Sequence, residues 1–187
     1  MSRPDISVVV PLYNEAESLP ELVAWIDRVA EGHGLSYEAI LVDDGSSDAS
    51  WEEVERLKTR YPALRGIRFA RNYGKSAALY CGFAAAAGEV VVTMDADLQD
   101  DVDAVDAMLE KYSEGCDIVY GVRSSRKKDT FFKRVTAEGF YRVMNFLGAE
   151  TVFNHADYRL MSRRALDGLA EFREVNLFLR GIVPMIG

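Results

Sequence analysis

The sequence is poor in the residues that build disulfide frameworks and thiolate metal sites. It holds only two cysteines and two histidines among 187 residues. Cys81 and Cys116 form no CxxC pair and no other spacing typical of a metal site. So few cysteines favour a reducing compartment, with the cytoplasm as the default. We therefore expect neither a disulfide framework nor a cysteine-bound metal.

Long apolar runs are also missing. The longest uncharged stretch, Ser76 to Gly88, is far shorter than the roughly 20 residues that a helix needs to cross a bilayer. The apolar stretch near the first residue is too short for a signal peptide, so we expect none. The apolar ending "LFLRGIVPMIG" favours a longer protein of which this chain is one part. With 49% hydrophobic and 28% charged residues, the composition is that of one globular domain.

The charge is acidic overall but unevenly divided. The formal net charge is −8. Residues 1–122 hold 10 basic and 23 acidic side chains, whereas residues 123–187 hold 12 basic and 7 acidic ones. The first two thirds offer no basic face, so nucleic acid is not an expected partner. The basic last third instead predicts a local anionic partner.

Apolar, β-rich segments alternate with helical patterns along the first 120 residues. Strands that alternate with helices of ten or more residues indicate βαβ units and a parallel sheet. The predicted strands are Ile6–Val10, Tyr37–Val42, Leu64–Phe69, Glu89–Met94 and Asp117–Tyr120. The expected fold class is α/β, with a mostly parallel, Rossmann-like sheet and helices on both faces.

Helical patterns fill the segments between these strands. The letters "SLPE" at 18–21 resemble a capping box with proline just inside the first helix, which then shows an apolar stripe that includes Leu22 and Ile26. A glycine, Gly88, is expected to stop the third helix. Further helices are expected at Ala49–Tyr61, Lys75–Ala87, Val102–Tyr112 and Thr130–Leu147, with a loop at 122–129.

Carboxylates crowd the end of the fourth predicted strand, in "VVTMDADLQDD". Asp95 and Asp97 are two residues apart, so in an extended strand end their side chains would point the same way, and Gln99 repeats the spacing. Mg²⁺ and Mn²⁺ bind such oxygens, and Mg²⁺ typically takes one or two carboxylates beside substrate phosphates. The alternative is that these carboxylates form an acidic first turn of the next helix, where negative charges interact favourably with the helix dipole. This alternative suits Asp100 and Asp101.

Polar residues follow two other predicted strands. Asp44 in "VDDGSSD" can accept the hydroxyls of a ribose, as acidic residues do in dinucleotide folds, or it can belong to a turn before a helix. The segment "RNYGKS" is no phosphate loop, because Phe69 stands where that motif needs a glycine. Arg71 and Lys75 in this segment either contact a ligand or remain surface charges.

Seven motifs follow one another along the chain: "VVVPLYNE", "VDDGSSD", "RNYGKSAAL", "DADLQD", "GVRSSR", "ADYRLMSRRAL" and "NLFLRG". In order and spacing they resemble those of family-2 inverting glycosyltransferases of the GT-A fold. The resemblance is narrower still to the polyprenyl-phosphate glycosyltransferases, the group that includes dolichyl-phosphate mannose synthase and bactoprenol glucosyltransferase. It covers nearly the whole chain, which implies a single catalytic domain over 1–187.

The resemblance implies a role for each matched position. The residues expected to contact the nucleotide part of the donor are Pro11, Tyr13, Glu15, Asp44, Lys75, Asp95 and Arg180. The expected ligands of a Mg²⁺ or Mn²⁺ cofactor are Asp95, Asp97 and Gln99. The residues expected to hold an acceptor phosphate are Arg123, Arg126 and Arg134. The residues expected to act in the transfer itself are Asp97, Arg123 and Asp157, the last on the acceptor side.

The implied reaction moves a sugar from a nucleotide diphosphate sugar to a polyprenyl phosphate at the cytoplasmic face of a membrane. A UDP-sugar is favoured and GDP-mannose is the other candidate. The basic cluster at 123–134 leads into a stripe that contains Phe140, Met144 and Leu147, a pattern that suits a helix on a membrane surface. The same periodicity also fits a helix packed on the sheet.

Two other functions are consistent with these motifs. A related enzyme could transfer sugar to a hydroxyl in polysaccharide synthesis, but a hydroxyl needs a general base whereas a lipid phosphate needs mainly cations. A non-catalytic scaffold that binds sugar nucleotides would show the same pattern. A receiver-like signalling module is disfavoured, because Arg71 and Asn72 stand where it needs a phosphorylatable aspartate. The sequence leaves homo-oligomerisation open.

Overall fold

The computed structural model describes residues 3–99, 104–122, 155–172 and 179–186. Within these ranges the chain forms strands and helices in close alternation. The elements are β1 (Ile6–Leu12), α1 (Leu19–His33), β2 (Tyr37–Asp43), α2 (Ser50–Lys58), β3 (Leu64–Arg68), α3 (Lys75–Ala85), β4 (Val90–Thr93), α4 (Ala104–Ser113), β5 (Ile118–Val122), β6 (His155–Ser162), α5 (Arg163–Ala170) and α6 (Leu179–Ile186). The predicted helix at 130–147 and most of the predicted loop at 122–129 lie outside the described residues.

The strands form one sheet in the order β3-β2-β1-β4-β6-β5. The pairs β1–β2, β2–β3 and β1–β4 are parallel, while β6 runs antiparallel to both β4 and β5. The chain therefore moves outward from β1 to β3 and then crosses back to the other side of β1. Such a reversal opens a crevice at the carboxyl ends of the two central strands, β1 and β4.

Both faces of the sheet are covered by helices. Alternate residues of β1 face opposite ways: Val8 and Val10 pack with the apolar side chains of α1, α2 and α4. Val9 packs on the other face with those of α3, α5 and α6. This double burial explains why β1 reads as a continuous apolar run. The predicted α/β class, with its mostly parallel sheet and helices on both faces, is confirmed.

A glycine lets α3 approach the sheet closely. A Cβ atom built on Gly82 would overlap Cγ1 of Val9, so any side chain there would push the helix away from β1. Gly88 was predicted to stop α3, but this helix already ends at Ala85. Gly88 instead allows the backbone to pass close to β1. A Cβ on Gly88 would lie 2.5 Å from the backbone nitrogen of Ser7.

Three further details of the sequence prediction differ from the structure. Ser18 precedes α1 in a helical conformation and its hydroxyl donates to the carbonyl of Glu15 at 3.0 Å, so no capping box forms. Helix α2 ends at Lys58 rather than at Tyr61. Strand β6 was missed altogether, because Asp157 and Arg159 interrupt its apolar pattern. None of the helices in the described ranges has the length and apolar character needed to span a bilayer.

Candidate active site

A cleft of about 290 Å³ opens where the strand order reverses. Its walls come from the segments that follow β1, β2, β3 and β4 at the carboxyl edge of the sheet. The lining residues are Pro11, Leu12, Tyr13, Glu15, Asp44, Asn72, Gly74, Lys75, Asp95, Ala96 and Asp97. Seven residues that sequence reasoning placed around a donor therefore share one cleft, and Asn72 is a lining residue that it missed.

Hydrogen bonds fasten the loop after β1 to the loop after β2. Asn14 adopts a left-handed backbone conformation with φ of 57°, and its Oδ1 accepts from the backbone nitrogen of Ser47 at 2.8 Å. The Ser46 hydroxyl accepts from the backbone nitrogen of Asn14 at 2.9 Å, and the Ser50 hydroxyl from that of Glu15 at 2.8 Å. These bonds fix the backbone that directly follows Tyr13, a residue that remains 47% exposed.

Asp44 joins the loops after β2 and β3. It is buried, and its two carboxylate oxygens accept from the backbone nitrogens of Tyr73 at 2.7 Å and Gly74 at 2.9 Å. Gly74 has a φ of 94°, a conformation that favours glycine, and it directly precedes α3. Asp44 therefore shapes the cleft wall, and carboxylate oxygens retain further acceptor capacity toward a ligand.

Lys75, which lines the cleft, bridges two carboxylates, of which Asp95 also lines the cleft and Asp157 does not. Its Nζ lies 2.5 Å from Oδ1 of Asp95 and 2.8 Å from Oδ2 of Asp157. Burial lowers the pKa of Lys75, but the hydrogen bonds and negative charges of Asp157 and Asp95 outweigh it and raise the pKa above the usual value. Lys75 is therefore a cation held in the site, and neither an isolated surface charge nor part of a phosphate loop.

The segment after β4 turns instead of staying extended. Strand β4 ends at Thr93, and Ala96 and Asp97 lie in a turn. The backbone nitrogen of Gln99 donates to Oδ1 of Asp97 at 3.1 Å. The two-residue spacing of Asp95 and Asp97 thus does not follow strand geometry, although both side chains line the cleft. Gln99 is exposed and does not line it, so its role as a metal ligand stays a prediction.

Strand β6 brings Asp157 from the far part of the sequence into contact with Lys75 of the cleft wall. Because β6 is antiparallel to β4, its first residues lie at the carboxyl edge, with Arg159 opposite Thr93. Asp157 is 7% exposed and Arg159 is fully buried, and Nη2 of Arg159 donates to Oδ1 of Asp157 at 3.3 Å. Sequence reasoning missed Arg159, although a spacing of two from Asp157 would have placed both on one face of a strand.

The donor set of the cleft fits a hard divalent cation. Asp95 and Asp97 supply carboxylate oxygens, which Mg²⁺ and Mn²⁺ prefer, and Asp97 is exposed to an incoming ligand. Across the described ranges, no three histidine, cysteine, aspartate or glutamate side chains group as a ready metal cage. Two carboxylates completed by substrate phosphates and water match the usual coordination of Mg²⁺.

The remaining predicted residues cannot be placed around this cleft. Arg123, Arg126 and Arg134 lie outside the described residues. Arg180 belongs to α6, the helix Leu179–Ile186. The proposed acceptor phosphate site therefore stays a prediction from the sequence.

Comparison with known proteins identifies relatives over the whole chain. The chain is 46% identical to the uncharacterized glycosyltransferase YkoT of Bacillus subtilis (strain 168), in an alignment that covers all of this chain and 58% of that protein. It is 36% identical to the bactoprenol glucosyl transferase of Shigella phage SfV, over 97% of this chain and 60% of the relative. The chain thus spans somewhat more than half the length of these relatives.

Solved structures share the architecture. A mannosyltransferase from Pyrobaculum calidifontis, determined in complex with GDP-Man and Mn²⁺, superposes with a TM-score of 0.62 at 24% identity, over 90% of this chain and 47% of that chain. This likeness supports the GT-A fold. The model of the family "Glycosyl transferase family 2" matches residues 7–169. The protein therefore belongs to glycosyl transferase family 2.

Proposed function

We propose that this domain transfers a sugar from a nucleotide diphosphate sugar to a polyprenyl phosphate, with inversion at the anomeric carbon. The observation that carries the proposal is the cleft at the strand-order reversal, with Asp95 and Asp97 among its lining residues. The choice of acceptor is supported by the 36% identity to a protein named bactoprenol glucosyl transferase. The reaction would take place at the cytoplasmic face of a membrane.

The donor nucleotide would lie along the loops after β1 and β2. Tyr13 offers an exposed aromatic ring for a base, and Asp44 offers carboxylate oxygens for ribose hydroxyls. Pro11 and Glu15 line the same side of the cleft. We favour a UDP-sugar over GDP-mannose because of the resemblance to bacterial members of the group. The diphosphate would then point toward Asp95 and Asp97, with Arg180 as a further predicted contact.

Asp95 and Asp97 would hold Mg²⁺ or Mn²⁺ against the donor diphosphate. The bound cation would neutralise the charge that develops on the leaving nucleoside diphosphate. Lys75 lies next to Asp95, so its positive charge also faces this region of the cleft. The similar mannosyltransferase structure contains Mn²⁺ and GDP-Man, which supports the same arrangement in this chain.

The acceptor would attack as an oxyanion. The bond between the anomeric carbon and the donor phosphate oxygen breaks, and its electron pair leaves with the nucleoside diphosphate. A phosphate oxygen of the lipid forms the new bond from the opposite face. Arg123, Arg126 and Arg134 would hold this phosphate. Asp157 contacts a cation through each of its oxygens, so we assign it an orienting role and not that of a base.

The test is sugar transfer to polyprenyl phosphate in liposomes, with UDP-glucose and GDP-mannose as donors and Mn²⁺ present. We expect transfer that excess chelator abolishes. The double variant Arg126→Glu with Arg134→Glu should lose transfer while it retains donor binding in calorimetry. Arg28→Glu with Arg60→Glu is the matched control, because both arginines are exposed and the charge change is the same.

Three results would count against the proposal. Normal transfer by the Arg126/Arg134 double variant would place the acceptor phosphate elsewhere. Transfer to a sugar hydroxyl in preference to the lipid phosphate would favour the polysaccharide-synthesis alternative. Donor binding without turnover on any acceptor would instead indicate a non-catalytic scaffold.

A further inference from the structure

A series of alternating charges runs from the interior of the sheet to the cleft. Arg159 on β6 is fully buried, and its Nη2 lies 3.3 Å from Oδ1 of Asp157. The other oxygen of Asp157, Oδ2, lies 2.8 Å from Nζ of Lys75. Lys75 in turn reaches Oδ1 of Asp95 at 2.5 Å. Because each oxygen of Asp157 contacts a different cation, the plane of its carboxylate is fixed.

We propose that Arg159 is a positioning residue for the transfer reaction. It fixes the carboxylate of Asp157 against Lys75, and through Lys75 against the donor-side carboxylate of Asp95. Arg159 does not line the cleft, so it acts through Asp157 rather than by touching a substrate. The inference deepens the proposed function and rests on it.

The backbone of Asp157 is held as firmly as its side chain. The hydroxyl of Thr93, the last residue of β4, donates to the backbone carbonyl of Asp157. Thr93 stands two residues before Asp95 and pairs with Arg159 across the two strands. The pairing of Thr93 with Arg159 therefore places the arginine and the acceptor-side carboxylate of Asp157 next to the strand end that leads into Asp95.

The burial of Arg159 argues against a role in stability alone. Its neighbours along β6, Leu160 and Met161, are buried apolar residues in the core. Well-packed apolar side chains in place of a buried ion pair are often as stable or more stable, so the fold itself does not call for an arginine there. A carboxylate that must keep a single orientation during a reaction does need such an arginine, because small errors of placement cost about 10²-fold in rate.

The experiment is a double-mutant cycle on Arg159→Lys and Asp157→Asn. The lysine keeps the positive charge but cannot reproduce the guanidinium geometry. Turnover is measured as release of nucleoside diphosphate, which reports transfer to any acceptor, water included. The cycle can therefore be judged even if the polyprenyl phosphate acceptor is wrong. Donor affinity by calorimetry and the melting temperature are measured for the same variants.

We expect Arg159→Lys to lower kcat by about tenfold or more, with the donor Kd and the melting temperature close to those of the wild type. The double variant should turn over no more slowly than Asp157→Asn alone, because Arg159 then has no carboxylate to orient. The matched control is Arg163→Lys. Arg163 contacts the carbonyls of Ala86 and Gly88 at the opposite edge of the sheet, so its replacement should leave kcat unchanged.

Three results would overturn the inference: wild-type kcat in Arg159→Lys, losses that multiply in the double variant, or a fall in donor affinity and melting temperature that matches the fall in kcat. Should Arg159→Lys fail to fold, Arg159→Gln in the Asp157→Asn background replaces it, since that pair is neutral. Its turnover should equal that of Asp157→Asn, and a further tenfold loss would contradict a role through Asp157.

Discussion

The two edges of the sheet use charged residues in opposite ways. At the amino edge, Glu38 is buried and accepts from the Ser7 hydroxyl at 2.7 Å, the backbone nitrogen of Ala87 at 2.6 Å and Arg65 at 2.7 Å. At the carboxyl edge, Asp97 is exposed in a turn that lines an open cleft. The first carboxylate is saturated by the protein, whereas the second is presented to a ligand.

The contrast separates stability from function within one fold. A carboxylate that accepts several internal hydrogen bonds contributes to folding, and its loss leaves buried donors without their acceptor. An exposed carboxylate beside a cleft contributes little to folding, and its loss is felt when a cation or substrate binds. We therefore expect substitutions at the amino edge to change the free energy of unfolding and those at the carboxyl edge to change turnover.

The largest effect is expected for Asp97→Asn. If Asp97 holds the divalent cation, its loss should lower turnover by about 10² or more, the scale of removing one major electrostatic stabiliser. The melting temperature should stay at the wild-type value, because Asp97 is exposed. Steady-state kinetics and a thermal melt check both statements, and wild-type turnover in the variant would remove Asp97 from the metal site.

Asp44→Ala tests a carboxylate that is expected both to stabilise the fold and to bind the donor. Asp44 accepts from two backbone nitrogens of the cleft wall and is proposed to contact the ribose. Donor binding should weaken by about 1–3 kcal/mol, the range for hydrogen bonds to a charged group. Calorimetry measures the change, with Asp167→Ala on the exposed face of α5 as the control. Equal affinity for variant and wild type would exclude Asp44 from donor binding.

At the amino edge, Glu38→Gln should act on stability alone. The amide keeps the shape of the side chain but loses the charged hydrogen bonds, so the free energy of unfolding should fall by about 1–3 kcal/mol. Turnover should not change, because Glu38 lies far from the strand ends that form the cleft. Glu55→Gln on the exposed side of α2 is the matched control in chemical denaturation. A fall in kcat for Glu38→Gln would show that the two edges are coupled.

The smallest effect is expected for the pH dependence of the stabilisation that Glu38 provides. Burial raises the pKa of Glu38, but hydrogen bonds from Ser7, Ala87 and Arg65 outweigh it and hold the pKa below the ordinary value of 4.5. The unfolded chain therefore takes up this proton at a higher pH than the folded protein, so the stabilisation is complete above pH 4.5 and is lost as the pH falls through the lowered pKa. The difference in unfolding free energy between wild type and Glu38→Gln should accordingly shrink on acidification. A constant difference would contradict this account.

The parallel half of the fold was predictable because burial on both faces leaves a plain sequence signal. Strands β1, β2 and β4 are buried and mostly apolar, and the polar ends of β2 and β4 pointed directly to Asp44, Asp95 and Asp97. Strand β6 gave no such signal, since it carries charged residues into the core and pairs antiparallel at the far end of the chain. A charged residue that is buried in a strand can be predicted from the sequence only when its ion-pair partner is known.

Contacts between distant segments were equally hidden from the sequence. The bridge from Lys75 to Asp157 joins residues more than 80 positions apart and depends on where β6 enters the sheet. The close approach of Gly88 to Ser7 also depends on tertiary packing, and a local pattern mistook that glycine for a helix stop. Local sequence patterns thus located the cleft, whereas the ion pairs around Lys75 could be recognised only from the three-dimensional structure.

The most direct test of the account is nucleotide binding at the cleft with and without a divalent cation. Calorimetric titration of UDP, GDP and their sugar conjugates into the wild type should show binding with Mn²⁺ that excess chelator removes or strongly weakens. Asp97→Asn should lose this dependence, whereas Glu38→Gln should bind as the wild type does. Equal affinity with and without chelator, or cation-dependent binding that survives in Asp97→Asn, would contradict the claim that the carboxyl edge holds a metal-assisted donor site.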